Sequence, residues 1–446
     1  MNTAAALHIP KTRKMAFTRR ARVLFNFSIH DSFIGSNVNV SSTFTPLRWS
    51  SLSSIRGQDY THQHHHHNRN QGDPPEPHCG TWEITSFAPP RGDTDFTTTL
   101  CYNYVKPLPQ IRSPDEVLVR VHATSVNPLD VLMCYGYGNE LLEKLDFLTS
   151  TRCRASNVSF DRLPLTLGRD FSGIIVDKGC NVKNVEINDT VMGAVPPYKQ
   201  GCHSHYVIAK DSEVIRKPQN ISHNEAACFP YAGLTALSAI TTFGGLNETN
   251  CAGKRVLVLG GTGGVGSIVV QILQNWNAWV ATTCSADAIP WLQELIDVDQ
   301  VIDYRSDGLS QYIQSFDMVI DCAKRTDGTS IDHQAYKCLK KRCSQYITIN
   351  SPLLRNFDEK GLIQGALWNI LKASQDGFGT LRDGIILRWA FYHPSYSGLK
   401  LLSQLVQKGA IKPIIDQVFP MDQLPDAYTK VRNGHLRGKT IIQIQS

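Results

Sequence analysis

VLVLGGTGGVGSIVVQILQ, residues 256–274, reads as an apolar strand, a glycine turn and a helix. Gly261, Gly263 and Gly266 form G-x-G-x-x-G within it. A glycine triplet alone is common, but between strand and helix each member has a use. The first makes a tight turn, the second lets backbone approach a pyrophosphate, and the third lets the helix pack against the strand. Backbone N–H groups of Thr262, Gly264 and Val265 then meet the phosphates at the positive end of the helix. With Gly263, these residues are the candidate phosphate cradle.

Outward from this turn, strands and helices alternate. Candidate strands lie at 256–259, 278–283, 300–303, 317–321 and 345–349, with helical stretches between most of them, and a further strand is expected at 385–392. That alternation predicts a parallel sheet covered on both faces, a doubly wound α/β arrangement. Upstream the period differs. EVLVRVHATSV (116–126) alternates polar and apolar residues as a half-buried strand does, and DFSGIIVDKG (170–179) and SHYVIAKDSEVI (204–215) repeat the signal. Ser222 with Glu225 three residues on is a capping box, which predicts a helix through the apolar run that follows. After a helix at GLKLLSQLVQKG, the tail returns to strand, helix and strand. The predicted organisation is a leader and linker over 1–77, the first part of a β domain over 78–220, a nucleotide-binding domain over 221–392, and elements completing the β domain over 393–446.

Charge separates the leader from the rest. Of 45 Lys/Arg and 39 Asp/Glu, residues 1–77 hold nine and four, leaving 36 against 35 elsewhere. A near-neutral folded part argues against a nucleic-acid face. Six basic residues precede the first acid, Asp31, in a Ser/Thr-rich stretch, as in a mitochondrial transit peptide. The low-complexity tract HQHHHHNRNQGDPPEP (62–77) reads as a linker. Twelve cysteines without any C-x-x-C spacing indicate reduced thiols rather than a disulfide framework or a structural zinc lobe.

The cofactor type is set after the second strand of the nucleotide unit. NAD enzymes place an acid there for the ribose 2′-hydroxyl, whereas VATTCSADA offers Cys284 and Ser285, with Asp287 only nearby. A small hydroxyl accepts a 2′-phosphate that a carboxylate would repel, so NADPH is the expected cofactor. Tyr304 and Arg305 in VIDYR add a ring for the adenine end and a cation for the phosphate.

A β domain split around a nucleotide domain resembles the medium-chain dehydrogenase/reductase superfamily, which implies a GroES-like β domain plus a Rossmann-type sheet. Its zinc alcohol dehydrogenases hold the metal through a Cys in C-x-x-D, a His in G-H-E and a further Cys. The matching positions here read Asn127-Pro128-Leu129-Asp130 and Gly168-Arg169-Asp170, and the third falls near Ala232, with Cys228 close by. An open zinc site needs three protein ligands, so no metal is expected. None is expected at His203 and His205 of CHSHY either. SVNPLDVLMCYGYG, LPLTLGRDFSG, AVPPYKQG, GKRVLVLGGTGGVG, VIDYR, RWAFY and GHLRGKTII, in this order, resemble the zinc-free quinone oxidoreductase-like branch. Within it they are most similar to a mitochondrial group of NADPH oxidoreductases that interact with a reticulon.

That resemblance implies Thr262, Gly264 and Val265 at the phosphates, Ser285 and Tyr304 at the 2′-phosphate and adenine, Ala390 and Tyr392 beside the nicotinamide, and His435, Leu436 and Arg437 as a C-terminal cofactor loop. Tyr392 stands where Phe is usual and Leu436 where Ala is. Cys322 replaces an Asn and is not followed by the usual Gly-Gly. Without zinc, the simplest chemistry is hydride delivery to a quinone or conjugated enone, which spreads negative charge itself. Asn127 and Tyr137 are the candidate hydrogen-bond donors to the developing oxyanion, with Asp130 organising their loop. The branch implies a matrix location, a homodimer, a reticulon-type membrane partner and a link to coenzyme Q biosynthesis. Two other readings stay open: an NADPH-binding interaction or assembly protein with residual activity, and an enoyl-thioester reductase.

Overall fold

The computed structural model describes residues 78–89, 95–149, 162–324 and 331–445; the basic leader and the histidine tract lie outside them. In chain order come β1 (His78–Ile84), β2 (Leu100–Pro107), β3 (Glu116–Val126), α1 (Pro128–Cys134), α2 (Asn139–Thr149), β4 (Leu165–Thr166), β5 (Asp170–Lys178), β6 (Thr190–Ala194), β7 (Tyr206–Lys210) and β8 (Val214–Arg216). Helices α3 (His223–Ala226) and α4 (Pro230–Leu237) lead to β9 (Arg255–Leu259), α5 (Gly264–Asn275), β10 (Trp279–Cys284), α6 (Ile289–Leu295), β11 (Gln300–Asp303), β12 (Met318–Asp321), α7 (His333–Lys337) and β13 (Ser344–Thr348). The chain ends with α8 (Leu353–Arg382, broken at Gly361), β14 (Ile385–Trp389), α9 (Tyr396–Gln407), β15 (Ile415–Pro420), α10 (Leu424–Asn433) and β16 (Lys439–Gln443).

Strands β9 to β14 form a six-stranded parallel sheet in the order β11-β10-β9-β12-β13-β14. Its glycine turn leaves the C-terminal end of β9, where the strand order reverses and open α/β sheets bind ligands. α5 buries Ile268, Val269, Val270, Ile272 and Leu273, each contributing about 1.5–3 kcal/mol by leaving water. A second sheet runs β15-β16-β3-β5-β6-β8, with β7 also pairing β3. β3 is its centre, antiparallel to β5 on one side and to β16 on the other. One apolar cluster joins the sheets, bringing Ala123, Met192 and Ile441 against Val258, Ile268 and Ile347. β1, β2 and β4 make a separate small sheet.

Two expectations are corrected. The helix predicted from Ser222 does start there, with the Ser222 hydroxyl capping the Glu225 N–H, but it stops at Ala226 and resumes at Pro230. Proline has no N–H to continue the ladder and is well placed in a first helical turn. By composition His223–Phe243 is long and apolar enough to cross a membrane, yet 78% of that stretch is buried inside the fold, as a core element is. The strand expected at 385–392 ends at Trp389, because its partner β13 ends at Thr348, the residue paired with Trp389, and the last bond between them runs from the Ala390 N–H to Thr348 O. Ala390 and Tyr392 therefore lie beyond the strand.

His203 is locked between β3 and α10: its ring nitrogens lie 3.3 Å from Ser125 O and 3.2 Å from the Tyr428 hydroxyl. Burial lowers its pKa to about 4. Burial, with His122 and Lys217 nearby, also takes His223 to about 4. The unfolded chain therefore binds more protons than the folded one between pH 6.5 and 4, so stability is complete above 6.5 and falls on acidification across that window. At pH 5, His203 alone should cost on the order of 2 kcal/mol relative to pH 7. Urea midpoints measured at both pH values should show the loss; a midpoint independent of pH would place these rings in water.

Candidate active site

The phosphate turn has the geometry its sequence predicts. Gly263 is the N-cap of α5 with φ −74° and ψ 165°, and no side chain caps the helix. First-turn N–H groups have no acceptor within their own helix, so those of Gly264 and Val265 are donors without an intrahelical partner. A Cβ on Gly266 would stand 2.2 Å from Gly260 O, so that glycine is required by close packing of the turn. A Cβ on Gly263 would meet only Gly260 O, at 3.5 Å. Gly263 is bare although the protein itself has room there, which is how a cradle for a bound pyrophosphate is built.

Two groups of the expected cofactor residues border this turn, since the Gly261 N–H bonds Thr283 O at the end of β10 and Thr262 O meets the segment before β16. Ser285 follows β10, and the Tyr304 N–H bonds Cys284 O, which brings Tyr304 alongside; its ring is half exposed, with the Arg305 guanidinium 5.5 Å from its centre. His435, Leu436 and Arg437 lie between α10 and β16, and the Gly438 N–H reaches back to Thr262 O at 2.8 Å. Arg437 pairs with Asp287 at 2.6 Å. Hydrogen bonds from Ser285 and Arg437 hold the Asp287 carboxyl below its usual pKa. The Asp287 carboxylate, the acid just after Ser285, is thus engaged by a cation rather than left free for a 2′-hydroxyl. This fits a phosphate-bearing cofactor. Tyr392 stacks on Tyr231 at 4.3 Å and 13°, with its hydroxyl directed to Ala194 O at 3.4 Å. Burial pushes both phenols up.

Asn127 and Asp130 sit at the start of α1, where the Asn127 N–H bonds Asp130 Oδ2 at 2.8 Å. Asp130 Oδ1 accepts the Gly168 N–H at 3.0 Å. Asp130 thus ties the Asn127 loop to the Gly168 segment. Arg169 is fully buried: its terminal nitrogens donate to Pro196 O and Lys199 O at 3.0 Å and to Thr166 O at 3.2 Å, and Nε lies 3.5 Å from Asp130 Oδ1. Cys228 is buried with its thiol against Asn224 O, and burial raises its pKa. His205 Nδ1 accepts the Gly80 N–H. Among the described residues no three His, Cys, Asp or Glu side chains cluster as a metal site would require.

Asp170, without an assignment from sequence, is the centre of a buried network. Its Oδ2 accepts from the Ser125 hydroxyl at 2.6 Å and from Asn127 Nδ2 at 2.8 Å, and its Oδ1 accepts the Tyr231 N–H at 2.6 Å. Lys439, which sequence reasoning missed, joins it: Nζ lies 2.6 Å from Asn127 Oδ1 and 3.4 Å from Asp170 Oδ2. Tyr231 was also missed. The one available signal for Lys439 was a cation opening an otherwise uncharged strand, KTIIQ. Tyr137 stands apart from this network, on the loop between α1 and α2, with its hydroxyl 3.5 Å from Ser351 O; burial raises its pKa.

Residues 113–219 match the family model of the alcohol dehydrogenase GroES-like domain, and residues 296–442 that of zinc-binding dehydrogenase. The human protein "NAD(P)H oxidoreductase RTN4IP1, mitochondrial" is 41% identical over 342 residues, covering 76% of this chain and 84% of its own. "Reticulon-4-interacting protein 1, mitochondrial" of Caenorhabditis elegans is 33% identical over 346 residues, 76% of this chain and 90% of its own. Among solved structures, the quinone oxidoreductase from Coxiella burnetii is similar with a TM-score of 0.63 at 25% identity, over 82% of this chain and 99% of its own.

Proposed function

The chain belongs to the reticulon-4-interacting family of mitochondrial NAD(P)H oxidoreductases, within the medium-chain dehydrogenase/reductase superfamily, and from that premise we propose that it reduces a quinone or conjugated enone without zinc. It is an oxidoreductase, its cofactor is NADPH and its compartment is the mitochondrion. The acceptor, the independence from zinc, a role in coenzyme Q biosynthesis and a matrix location are the proposed parts, as are a homodimeric state and a reticulon-type partner.

When bound, NADPH supplies the hydride. The uncapped first turn of α5 and the bare Gly263 would hold its pyrophosphate, Ser285 and Arg437 its 2′-phosphate, and Tyr304 would lie along its adenine. Ala390 and Tyr392 would flank the nicotinamide, and the Tyr231–Tyr392 stack would keep water from that wall. Asn127 would donate a hydrogen bond to the acceptor oxygen as negative charge develops, worth more in a dry site than in water. Tyr137, on the loop after α1, would offer a second donor.

One observation supports the zinc-free reading: Arg169, at the chain position of the histidine in G-H-E, has its guanidinium tied to three backbone carbonyls. At the first ligand position Asn127 has its amide committed to Asp170 and Lys439. Anaerobic NADPH oxidation by the purified protein, with quinones, enones and enoyl-CoA offered separately, tests this. Turnover of a quinone or enone is expected, unchanged by chelator or added zinc. Tight NADPH binding with no turnover would sink the reductase reading, preference for enoyl-CoA would replace the acceptor, and inhibition by chelator would restore a metal.

A further inference from the structure

We propose that Lys439 fixes the direction in which the Asn127 amide faces, and that it does so from the start of β16, next to the cofactor loop. The inference rests on the reading of Asn127 as donor to the acceptor oxygen. A primary amide presents a carbonyl oxygen on one side and two N–H donors on the other, and a flip exchanges them. Only the second orientation can stabilise an oxyanion. Here the Lys439 ammonium takes Oδ1 at 2.6 Å, while Asp170 takes one Nδ2 hydrogen at 2.8 Å. A flipped amide would set its oxygen against the carboxylate and its NH₂ against the ammonium, two repulsive contacts in a site where Asn127, Asp170 and Lys439 are all buried. The other Nδ2 hydrogen is left for the acceptor.

The ammonium is in turn positioned by the phosphate turn. A Cβ on Gly264 would stand 2.6 Å from Lys439 Cδ, so the lysine stem lies directly over the first turn of α5. The preceding residue bonds the same turn through the Gly438 N–H and Thr262 O, and the Lys439 N–H is held by Ile414 O at 2.9 Å. Gly264 is thus bare for the sake of the lysine as well as of any phosphate. Asp170 already accepts from Ser125, Asn127 and Tyr231, and the shorter of the two contacts of the Lys439 ammonium, 2.6 Å against 3.4 Å, is with the amide oxygen. Lys439 is therefore a positioning residue, acting on the acceptor through Asn127.

The test uses the full chain with NADPH and a quinone. Lys439→Met keeps the stem and removes the cation; the double variant Asp170→Asn with Lys439→Met removes both charges, should the single variant fold poorly. The expected result is a kcat lowered at least about tenfold, with NADPH affinity and quinone KM within about threefold. In an Asn127→Ala background, Lys439→Met should cost less than about twofold more, because both changes remove the same donor. Additive losses, an unchanged kcat in Lys439→Met beside a slow Asn127→Ala, or a parallel loss of NADPH binding would each overturn the inference. Unchanged kcat in Asn127→Ala would instead sink the donor reading. The ¹⁵N side-chain amide signal of Asn127, identified by its loss in Asn127→Ala, separates the two: Lys439→Met should broaden or double it whatever the activity, and an unaltered signal means that lysine does not set the orientation.

Discussion

A Gly263→Val variant is expected to keep its fold and lose NADPH. Its backbone, φ −74° and ψ 165°, is open to any residue, and a Cβ there would have no neighbour nearer than Gly260 O at 3.5 Å. Among the described residues nothing requires glycine at this point. A pyrophosphate bonded to the first-turn N–H groups of α5 would lie against the Cα, and a branched side chain would occupy that volume. Affinity should fall at least about a hundredfold, about 2.7 kcal/mol, while the melting temperature stays within a few degrees. Gly266→Val is the contrasting case, since a Cβ 2.2 Å from Gly260 O disrupts the turn itself and should lower stability together with binding. Fluorescence titration of NADPH beside thermal melts separates the two. If Gly263→Val binds NADPH as well as the parent does, the pyrophosphate does not sit over Gly263.

Arg169→His would restore the residue type that zinc alcohol dehydrogenases carry in this segment, and it should make the protein worse without making it a zinc enzyme. The guanidinium satisfies Pro196 O, Lys199 O and Thr166 O and lies against the buried Asp130 carboxylate. An imidazole cannot reach all of these. Breaking a buried pair in this way costs about 3–5 kcal/mol, because it leaves one charge and several acceptors without partners. In a chain of this size the melting temperature should drop by about 5 °C. Zinc should not rescue it, because Asn127 supplies no zinc-binding donor. Zinc-dependent recovery of stability, or a tetrahedral cobalt spectrum in the variant, would show that the second and third ligands exist after all.

What could be read from the chain was local. The glycine turn, the β3 strand and the Ser222 capping box each depend on residues within a few positions of one another, and each lies in the structure where its pattern puts it, although β3 is not half-buried as its alternation predicts, since Ala123, Thr124, Ser125 and Val126 are all buried. The break before Pro230 was written just as locally, but the apolar run on either side of it concealed the missing N–H. The end of β14 at Trp389 depends on where its partner β13 ends, at Thr348, which is a property of the sheet. The distribution of buried charge depends on the fold still more. Sequence could mark Arg169 and Asp170 as replacements for the G-H-E pair without saying what they touch, since the carbonyls that hold Arg169 come from the 196–199 turn and the ammonium that meets Asn127 arrives from the last strand.

By itself, then, the sequence determined the two kinds of sheet, the phosphate turn, the expectation of NADPH and the lack of a full set of zinc ligands, because hydrophobic period, glycine geometry and donor chemistry are properties of short segments. Only the tertiary structure decided that Gly263 is bare with room to spare, that Arg169 is a buried tie between loops, and that Lys439, Asn127 and Asp170 form one network. These are facts of which backbones come within about 3 Å of each other, and chain closure across more than three hundred residues leaves no local pattern to read.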